Sequence, residues 1–319
     1  MATRLRAAIL DDYQNVALRL ADWSALSDVD IKVFTQPFAS RQAATDALQD
    51  FEIVVGMRER TPFPRATIAA LPKLKLLITT GAKNNSFDLK AAAEHGITVC
   101  GTGTVGAPTV GITFGLMLEL TRRIGFENQR MKAGEPWQVT LGRDLEGLTL
   151  GVVGFGKLGH RVAAVAQAFG MKVIAWSQNL TPEDAEKAGV RYATKEQLFS
   201  EADIVTLHYA LSARSRGIVG AADLGRMKRD ACLINTARGP LVDEAALLEA
   251  LRAKKVAGAG LDVFDVEPLP VDHPFRTLDN VVLTPHLGYV SEQNYRIYFR
   301  DIVEDIRAFI DGKPVRVIS

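Results

Sequence analysis

Short apolar runs alternate with helical patterns along most of the chain. A short apolar run is typical of a buried strand, and strands that alternate with helices favour βαβ units and a parallel sheet. A first series of runs reads LRAAIL, IKVF, FEIVVG, LKLLIT and ITVC, and a second reads TLGVVG, MKVIAW, DIVTLH, CLINT, GAGLDVF and NVVLT. The pattern predicts an α/β protein with two successive series of alternating strands and helices.

Two longer segments have a helical pattern. The first, from Pro108 to Ile124, has a proline near its start, where helices tolerate one, and is predicted to carry the chain from one domain into the next. The second runs from about Ser291 to Asp311. Its apolar residues recur at spacings of three and four, which indicates an amphipathic helix. They are Tyr295, Tyr298, Phe299, Ile302, Ile306 and Phe309.

Length and composition indicate a globular protein of two domains. The chain has 319 residues, about twice the usual length of one domain. Apolar residues make up 47% and charged residues 24% of the chain, as in ordinary globular proteins. The net charge of +1 at pH 7 gives no reason to expect binding to nucleic acid or to anionic membranes.

The N-terminal segment and the cysteines bear on the cellular setting. The apolar run from Ala7 to Leu10 is too short for the core of a signal peptide, and no stretch reaches the ~18 apolar residues of a membrane span. A cytoplasmic protein is therefore predicted. Cys100 and Cys232 each lie inside an apolar run, without a second thiol nearby in sequence. They are predicted to be buried core residues, and neither a disulfide framework nor a metal site is expected.

A glycine-rich turn follows the apolar run that ends at Val153 and opens a helical stretch from Arg161 to Phe169. In a GxGxxG turn the first glycine permits the tight turn, the second lets the backbone approach a pyrophosphate, and the third lets helix and strand pack closely. The strand before it and the helix after it favour dinucleotide binding over a purely structural turn. The predicted cofactor-binding residues here are Gly154, Phe155, Gly156, Lys157, Leu158 and Gly159.

The end of the next predicted strand bears on the choice between NAD and NADP. An acidic residue at this place holds the ribose 2′-hydroxyl of NAD and repels a 2′-phosphate. After Trp176 the chain reads Ser177, Gln178 and Asn179, with neither an acid nor an arginine that would clamp the phosphate. These three residues are predicted to contact the cofactor. The prediction leans slightly towards NADP and leaves NAD open.

Three polar residues stand where apolar runs of the second series end in turns: Arg238, Glu267 and His286. The carboxyl ends of parallel strands are where such sheets bind ligands. A guanidinium can hold a carboxylate, an imidazole can deliver a proton near neutral pH, and a glutamate beside it favours the charged imidazolium. This set predicts reduction of a small 2-oxo acid, with hydride passing from NAD(P)H to C2.

Each of these residues also has an ordinary interpretation. Arg-Gly is common in surface turns, Glu-Pro in loops and Pro-His at the end of a strand. The order of the three residues after a nucleotide-binding motif favours catalysis.

Four segments resemble the signatures of the D-isomer-specific 2-hydroxyacid dehydrogenases: 154–159, 235–243, 261–268 and 284–288. The resemblance covers essentially the whole chain. It implies catalytic roles for Arg238, Glu267 and His286, with the glutamate and histidine acting as a dyad. It also implies a cofactor contact from Asp262 to the nicotinamide carboxamide and further cofactor contacts, largely through the backbone, from His208, Tyr209, Ala210, Thr236 and Ala237.

The resemblance implies a domain organisation as well. Residues 101–287 would form a Rossmann nucleotide-binding domain, and residues 1–100 with 288–319 would form a discontinuous flavodoxin-like α/β substrate domain, with a cleft between the two. It further implies a homodimer, with the helix from Pro108 to Ile124 as part of the interface.

The resemblance also implies substrate contacts in the first half of the chain. Arg58 resembles a substrate-contacting position, although a solvated turn arginine is the alternative. Gly81 and Ala82 resemble a loop whose backbone N–H groups meet the substrate carboxylate, although Gly81 could also be a plain turn.

Three positions depart from the family's pattern, and two other functions remain open. Gly111 replaces an acidic residue, Ala210 replaces a proline, and the acid expected after Trp176 is missing. The alternatives are a formate or phosphite dehydrogenase of the same fold, and an interaction protein of the corepressor type that senses NAD(H). The sequence does not select one 2-oxo acid.

Overall fold

The structure is a computed structural model that describes residues 4–318. The chain divides into two compact units. One comprises the chain up to Val105 together with everything from Val290 onwards, and the other comprises Gly106–Tyr289. The last helix of the chain therefore belongs to the same unit as the first strand.

The first unit contains a five-stranded parallel sheet in the order β2-β1-β3-β4-β5. This is the strand order of flavodoxin-like folds, and it reverses direction between β1 and β3. Every residue of β3 and β4 is buried, as expected for strands covered on both faces. The strands are β1 Leu5–Ile9, β2 Val29–Val33, β3 Ile53–Gly56, β4 Leu76–Thr79 and β5 Thr98–Gly101, and the helices between them are α1 Ala17–Leu20, α2 Arg41–Leu48, α3 Arg65–Ala69 and α4 Leu89–Glu94.

The second unit contains a seven-stranded parallel sheet in the order β12-β11-β10-β9-β6-β7-β8. Two halves wind outwards from β6 and β9, which is the doubly wound Rossmann arrangement. The strands are β6 Thr149–Val153, β7 Lys172–Trp176, β8 Arg191–Tyr192, β9 Ile204–Leu207, β10 Cys232–Asn235, β11 Gly258–Leu261 and β12 Val281–Leu283. The helices are α5 Ala107–Arg122, α6 Ile124–Lys132, α7 Lys157–Ala168, α8 Pro182–Lys187, α9 Lys195–Glu201, α10 Ala221–Arg226 and α11 Glu244–Arg252.

The final helix, α12, spans Glu292–Ile310, within one residue of the predicted segment at each end. The Ser291 hydroxyl caps it by accepting the Asn294 N–H at 3.3 Å. Tyr298, Phe299 and Ile302 are fully buried, which confirms the apolar face seen in the sequence. The face is not purely apolar, because Asp301 and Asp305 are buried with it.

The elements follow the sequence pattern closely. All the apolar runs predicted as strands are strands, and the helix predicted from Pro108 spans Ala107–Arg122. The edge strand β8 was not predicted, because its two residues, Arg191 and Tyr192, form no apolar run. Cys100 and Cys232 are buried in strands, which confirms their place in the core. No helix within residues 4–318 is both long enough and apolar enough to cross a membrane.

Candidate active site

The glycine-rich turn joins β6 to α7 at the point where the strand order of the second sheet reverses. Gly154 has a φ of 92°, a conformation that favours glycine, and a Cβ there would lie 2.6 Å from the His208 carbonyl oxygen. A Cβ at Gly159 would lie 2.4 Å from the Gly154 carbonyl oxygen. A Cβ at Gly156, by contrast, would meet no heavy atom within 4 Å among the described residues. The turn is tightly packed on one side and open on the other.

The open side faces the start of a helix whose first N–H groups are available. Gly156 is the N-cap of α7 and makes no side-chain cap hydrogen bond. Lys157 and Leu158 begin the helix, and the Phe155 ring packs against His160 with 4.1 Å between ring centroids. Free N–H groups and the helix dipole suit a phosphate group. The turn therefore fits the pyrophosphate of a dinucleotide.

The neighbouring strand ends carry the other predicted cofactor residues. Ser177 is half-buried after β7, whereas Gln178 and Asn179 are exposed. The Tyr209 ring stacks near Trp176 at 6.2 Å between centroids. The carbonyl oxygen of Ala210, which replaces the proline of the family pattern, accepts the Ser215 hydroxyl at 2.7 Å.

His208 stands directly after β9. Its Nε2 lies 3.0 Å from the Thr206 hydroxyl, and burial lowers the pKa of His208 to about 4. The ring is therefore neutral near pH 7. The backbone of His208, rather than its ring, lies against Gly154.

Arg238 follows β10, and the loop that carries it is held by Asn235. The Asn235 amide Nδ2 donates to the Arg238 carbonyl at 2.9 Å, and its Oδ1 accepts the Ala237 N–H at 3.0 Å. The Arg238 guanidinium donates to the Ala237 carbonyl at 2.7 Å. Thr236, in the same loop, lies 2.9 Å hydroxyl to hydroxyl from Thr113 of α5.

Glu267 and His286 form a hydrogen-bonded pair. The Glu267 Oε2 lies 2.6 Å from His286 Nδ1, and its Oε1 accepts the Phe264 N–H at 2.9 Å. Both side chains are partly exposed, at 34% for Glu267 and 22% for His286. Burial raises the pKa of Glu267, but the His286 hydrogen bond and charge, the Phe264 N–H and the Arg238 charge outweigh it, so this pKa is lowered.

A Cβ at Gly239 would lie 2.1 Å from the Phe264 carbonyl carbon, so the loop of Arg238 packs against the segment that Glu267 contacts through the Phe264 N–H. A carboxylate can only accept hydrogen bonds, so His286 Nδ1 carries the proton of the pair. Nε2 is then the ring nitrogen left to face a ligand.

Asp262 holds the loop from which His286 projects. Its Oδ1 accepts the Thr284 hydroxyl at 2.6 Å and the Leu287 N–H at 2.7 Å, and its Oδ2 accepts the Gly288 N–H at 2.7 Å. The side chain is fully buried, and burial raises the pKa of Asp262 despite the hydrogen bonds and the charge of His286, which lower it. His286 itself has a φ of 54°, a backbone conformation that non-glycine residues seldom adopt.

Two threonines of α5 also reach these loops, and sequence reasoning missed them. Thr109 donates its hydroxyl to the Gly288 carbonyl at 2.6 Å, and Thr113 contacts Thr236. Nothing in the sequence marks these residues, because a threonine in an apolar helix has no motif and its partner lies more than a hundred residues away. Asn235 and Thr284 were also missed as individual residues, although both lie inside the matched segments.

The predicted substrate-contacting residues lie together in the first unit. Arg58 follows β3 with a φ of 53°, and its Nη1 donates to the Thr80 carbonyl at 3.1 Å. Gly81 has a φ of 88°, and a Cβ there would lie 1.9 Å from the Arg58 guanidinium. The Gly81 N–H donates to the Thr102 hydroxyl at 2.8 Å, whereas Ala82 is exposed. Arg58 is therefore not a solvated turn arginine, because its side chain packs directly on Gly81.

Comparison with known proteins decides the family. The family described as "D-isomer specific 2-hydroxyacid dehydrogenase, NAD binding domain" matches residues 114–288, which is more than half of the chain. The chain belongs to the D-isomer-specific 2-hydroxyacid dehydrogenases. As a member of this family it is an oxidoreductase, and its NAD-binding domain lies within the second unit.

The relatives of this dehydrogenase cover most of its length. The glyoxylate reductase of Korarchaeum cryptofilum is 35% identical over 282 residues, which are 86% of this chain and 84% of that protein. The D-3-phosphoglycerate dehydrogenase of Methanocaldococcus jannaschii is 36% identical over 86% of this chain, but the match spans only 52% of that protein. The solved structure of a phosphoglycerate oxidoreductase from Vibrio cholerae has a TM-score of 0.92 at 35% identity and covers 97% of this chain and 99% of its own.

Proposed function

We propose that this dehydrogenase interconverts a small 2-oxo acid and the corresponding D-2-hydroxy acid, with Arg238, Glu267 and His286 as its catalytic residues. The observation that carries the proposal is the 2.6 Å contact between Glu267 and His286 Nδ1, with the charge of Arg238 close enough to lower the pKa of Glu267. A proton donor, its carboxylate partner and a guanidinium then meet at the carboxyl edge of a nucleotide-binding sheet.

Each residue has a separate role in this proposal. When bound, NAD(P)H supplies the hydride that reduces C2 of the 2-oxo acid, and the carbonyl oxygen then needs a proton. His286 donates that proton from Nε2, because its Nδ1 is taken up by Glu267. Arg238 holds the substrate carboxylate through its planar guanidinium and polarises the neighbouring carbonyl. Glu267 orients the ring by accepting the hydrogen bond of its Nδ1.

We assign a different binding function to each part of the chain. We assign nucleotide binding to residues 101–287 and substrate binding to residues 1–100 with 288–319. Arg58, Gly81 and Ala82 are the proposed substrate contacts of the latter, supported by the packing of the Arg58 guanidinium against Gly81. We further propose that Asp262 contacts the nicotinamide carboxamide. Its carboxylate oxygens already accept three donors of the protein, so such a contact would share an oxygen with them.

We propose NADPH as the better cofactor, although the family's NAD-binding domain accommodates NAD(H). The support is the stretch Ser177 to Asn179, which offers no carboxylate to repel a 2′-phosphate. The enzyme should therefore have a lower KM for NADPH than for NADH.

Ser177→Asp should lower kcat/KM with NADPH about tenfold or more and leave kcat/KM with NADH nearly unchanged, because a like charge disfavours the phosphate. Parallel steady-state assays with both cofactors measure this, with Ser200→Asp on the exposed face of α9 as the control. A parent enzyme that strongly prefers NADH would contradict the proposal.

We also propose a homodimer, with α6 and the segment after it extending the interface expected from α5. Large apolar side chains are concentrated there, including Trp137 at 71% exposed and Leu141 at 99%. The family resemblance favours a second copy of this chain as the partner that covers these side chains. Light scattering after size-exclusion chromatography should give twice the 34.7 kDa chain mass.

Leu141→Glu together with Trp137→Glu should shift the mass to that of one chain, because a charge in an apolar interface is costly. Val271 is 91% exposed outside this segment, so Val271→Glu is the matched control and should leave the dimer intact. A parent protein that runs as a monomer would contradict the dimer.

A 2-oxo acid panel tests the proposed reaction. The purified protein is assayed for oxidation of NADH and of NADPH with glyoxylate, hydroxypyruvate, phosphohydroxypyruvate and a bulkier 2-oxo acid. Formate and phosphite are assayed in the opposite direction with NAD and NADP. Turnover of a 2-oxo acid supports the proposal. Turnover of formate or phosphite alone, or cofactor binding with no turnover of any compound, would move the assignment to one of the two alternative functions.

A further inference from the structure

The loop that carries His286 needs support, because its backbone conformation is an unfavourable one. His286 has a φ of 54°, and its N–H donates to the Thr284 carbonyl at 3.0 Å in a tight turn. A bulky residue keeps such a conformation only when the surrounding structure enforces it. The position of the imidazole therefore depends on the groups that hold residues 284–288.

Two side chains hold this loop from different elements. Asp262, at the end of β11, accepts the N–H groups of Leu287 and Gly288. Thr109, in the first turn of α5, donates its hydroxyl to the carbonyl of the same Gly288 at 2.6 Å. A Cβ at Gly288 would lie 3.0 Å from Asp262 Oδ2 and 3.5 Å from Thr109, so this residue is enclosed by the two side chains.

Thr109 belongs to a helix that is itself fixed to the other catalytic loop. The Thr113 hydroxyl donates to the Thr109 carbonyl at 2.8 Å, which leaves it to accept the Thr236 hydroxyl at 2.9 Å. Thr236 stands two residues before Arg238. One helical turn of α5 thus contacts the loop of the proton donor and the loop of the guanidinium.

We propose that Thr109 is a positioning residue for His286, acting through its hydrogen bond to the Gly288 carbonyl. This inference rests on the proposed role of His286 as the proton donor. Thr109 does not itself need to touch the substrate or the cofactor. Its hydroxyl fixes the carbonyl side of the loop, while Asp262 fixes the N–H side, and together they keep Nε2 aimed at the reacting oxygen.

The test compares four variants by steady-state kinetics on the best 2-oxo acid of the panel, with thermal melting recorded in parallel. Thr109→Val keeps the shape and removes the hydroxyl, Thr109→Ser keeps the hydroxyl, and Thr121→Val is the matched control. Thr121 is buried in the same helix and donates to the Met117 carbonyl within it. His286→Ala is the fourth variant.

Thr109→Val should lower kcat about tenfold or more, because small displacements of a catalytic group cost rate steeply. The KM for the cofactor should change less than about twofold, since the glycine-rich turn is untouched. Thr109→Ser should restore most of kcat, and Thr121→Val should keep the parent kcat even if it melts earlier. Should Thr109→Val fold poorly, Thr109→Ala is measured in its place with the same expectation.

Two results would overturn the inference while leaving the proposed function intact: equal kcat values for Thr109→Val and Thr121→Val, or no recovery in Thr109→Ser. In both cases Thr109 only supports the fold. A different result would overturn the proposed function and this inference together, namely a His286→Ala variant with nearly normal kcat. The two failures are therefore distinguishable in one experiment.

Discussion

His286→Ala should lower kcat for 2-oxo acid reduction by about 10²- to 10⁴-fold, the range that general acid catalysis contributes. In the proposed mechanism the imidazole supplies the proton, and the carboxylate of Glu267, which accepts the Nδ1 hydrogen bond, cannot take over that role. The glycine-rich turn lies on another strand end, so cofactor affinity should change little. Steady-state kinetics and titration of NAD(P)H fluorescence measure the two quantities.

The backbone at position 286 calls for a second variant. A φ of 54° is tolerated better by asparagine than by alanine, so His286→Asn keeps the loop conformation without the imidazole. It should lose as much kcat as His286→Ala. His95→Ala, at an exposed histidine after α4, is the control and should behave as the parent. If both His286 variants kept normal kcat/KM on every accepted 2-oxo acid, the assignment of the proton donor would be wrong.

Arg238→Ala should lower kcat/KM for the 2-oxo acid on the order of 10³-fold, because the substrate carboxylate loses its charged partner. Arg238→Lys should recover only part of this loss, since an ammonium keeps the charge but lacks the planar fork of the guanidinium. In both variants the KM for the 2-oxo acid should rise, whereas the KM for the cofactor should stay close to the parent value.

The Arg238 variants also test the geometry of the loop. The loop itself is held by Asn235, whose side chain contacts backbone atoms of residues 237 and 238, so the fold should survive the substitution. Arg226→Ala, at an exposed arginine of α10, is the control. An unchanged substrate KM and kcat in Arg238→Ala would exclude carboxylate binding by this residue.

Much of the fold follows from the sequence because its strands are buried on both faces. A strand covered by helices must be apolar along its whole length, so each appears as an unbroken run such as LKLLIT. The sequence pattern did not predict β8, because a two-residue edge strand needs no apolar run. The amphipathic pattern of α12 was equally clear, although its buried Asp301 and Asp305 were not foreseen.

The candidate site could be read only in part, for a physical reason. Arg238, Glu267 and His286 stand at the ends of strands, and parallel strands bring their carboxyl ends to one edge. The side chains that hydrogen-bond to the loops of these residues have no such signal in the sequence. The cofactor contact expected of Asp262 stays a prediction, and nothing in the sequence indicated that its carboxylate also accepts three donors from the His286 loop. Thr109 could not be found, since its contact with Gly288 exists only after α5 packs beside the sheet.

The predicted substrate contacts were likewise only partly evident from the sequence. Arg58 and Gly81 could each be read from the sequence as an ordinary turn residue. In the structure both adopt left-handed backbone conformations, and the guanidinium fills the space where a Cβ of residue 81 would lie. The position of the Arg58 side chain therefore depends on a glycine at residue 81. The two residues follow different strands, so their spacing in the sequence does not indicate this contact.

The proposed reaction transfers a hydride to C2 of a 2-oxo acid and places a proton on the oxygen. It is tested with NADH or NADPH that carries deuterium at both C4 positions, and with an accepted 2-oxo acid whose product is chiral at C2. Chiral chromatography with mass spectrometry then gives the position of the deuterium and the configuration of the product. The proposed mechanism requires a D-2-hydroxy acid that carries one deuterium at C2, and almost no product from His286→Ala. An L-product, a product without deuterium at C2, or no reduction of any 2-oxo acid would contradict it.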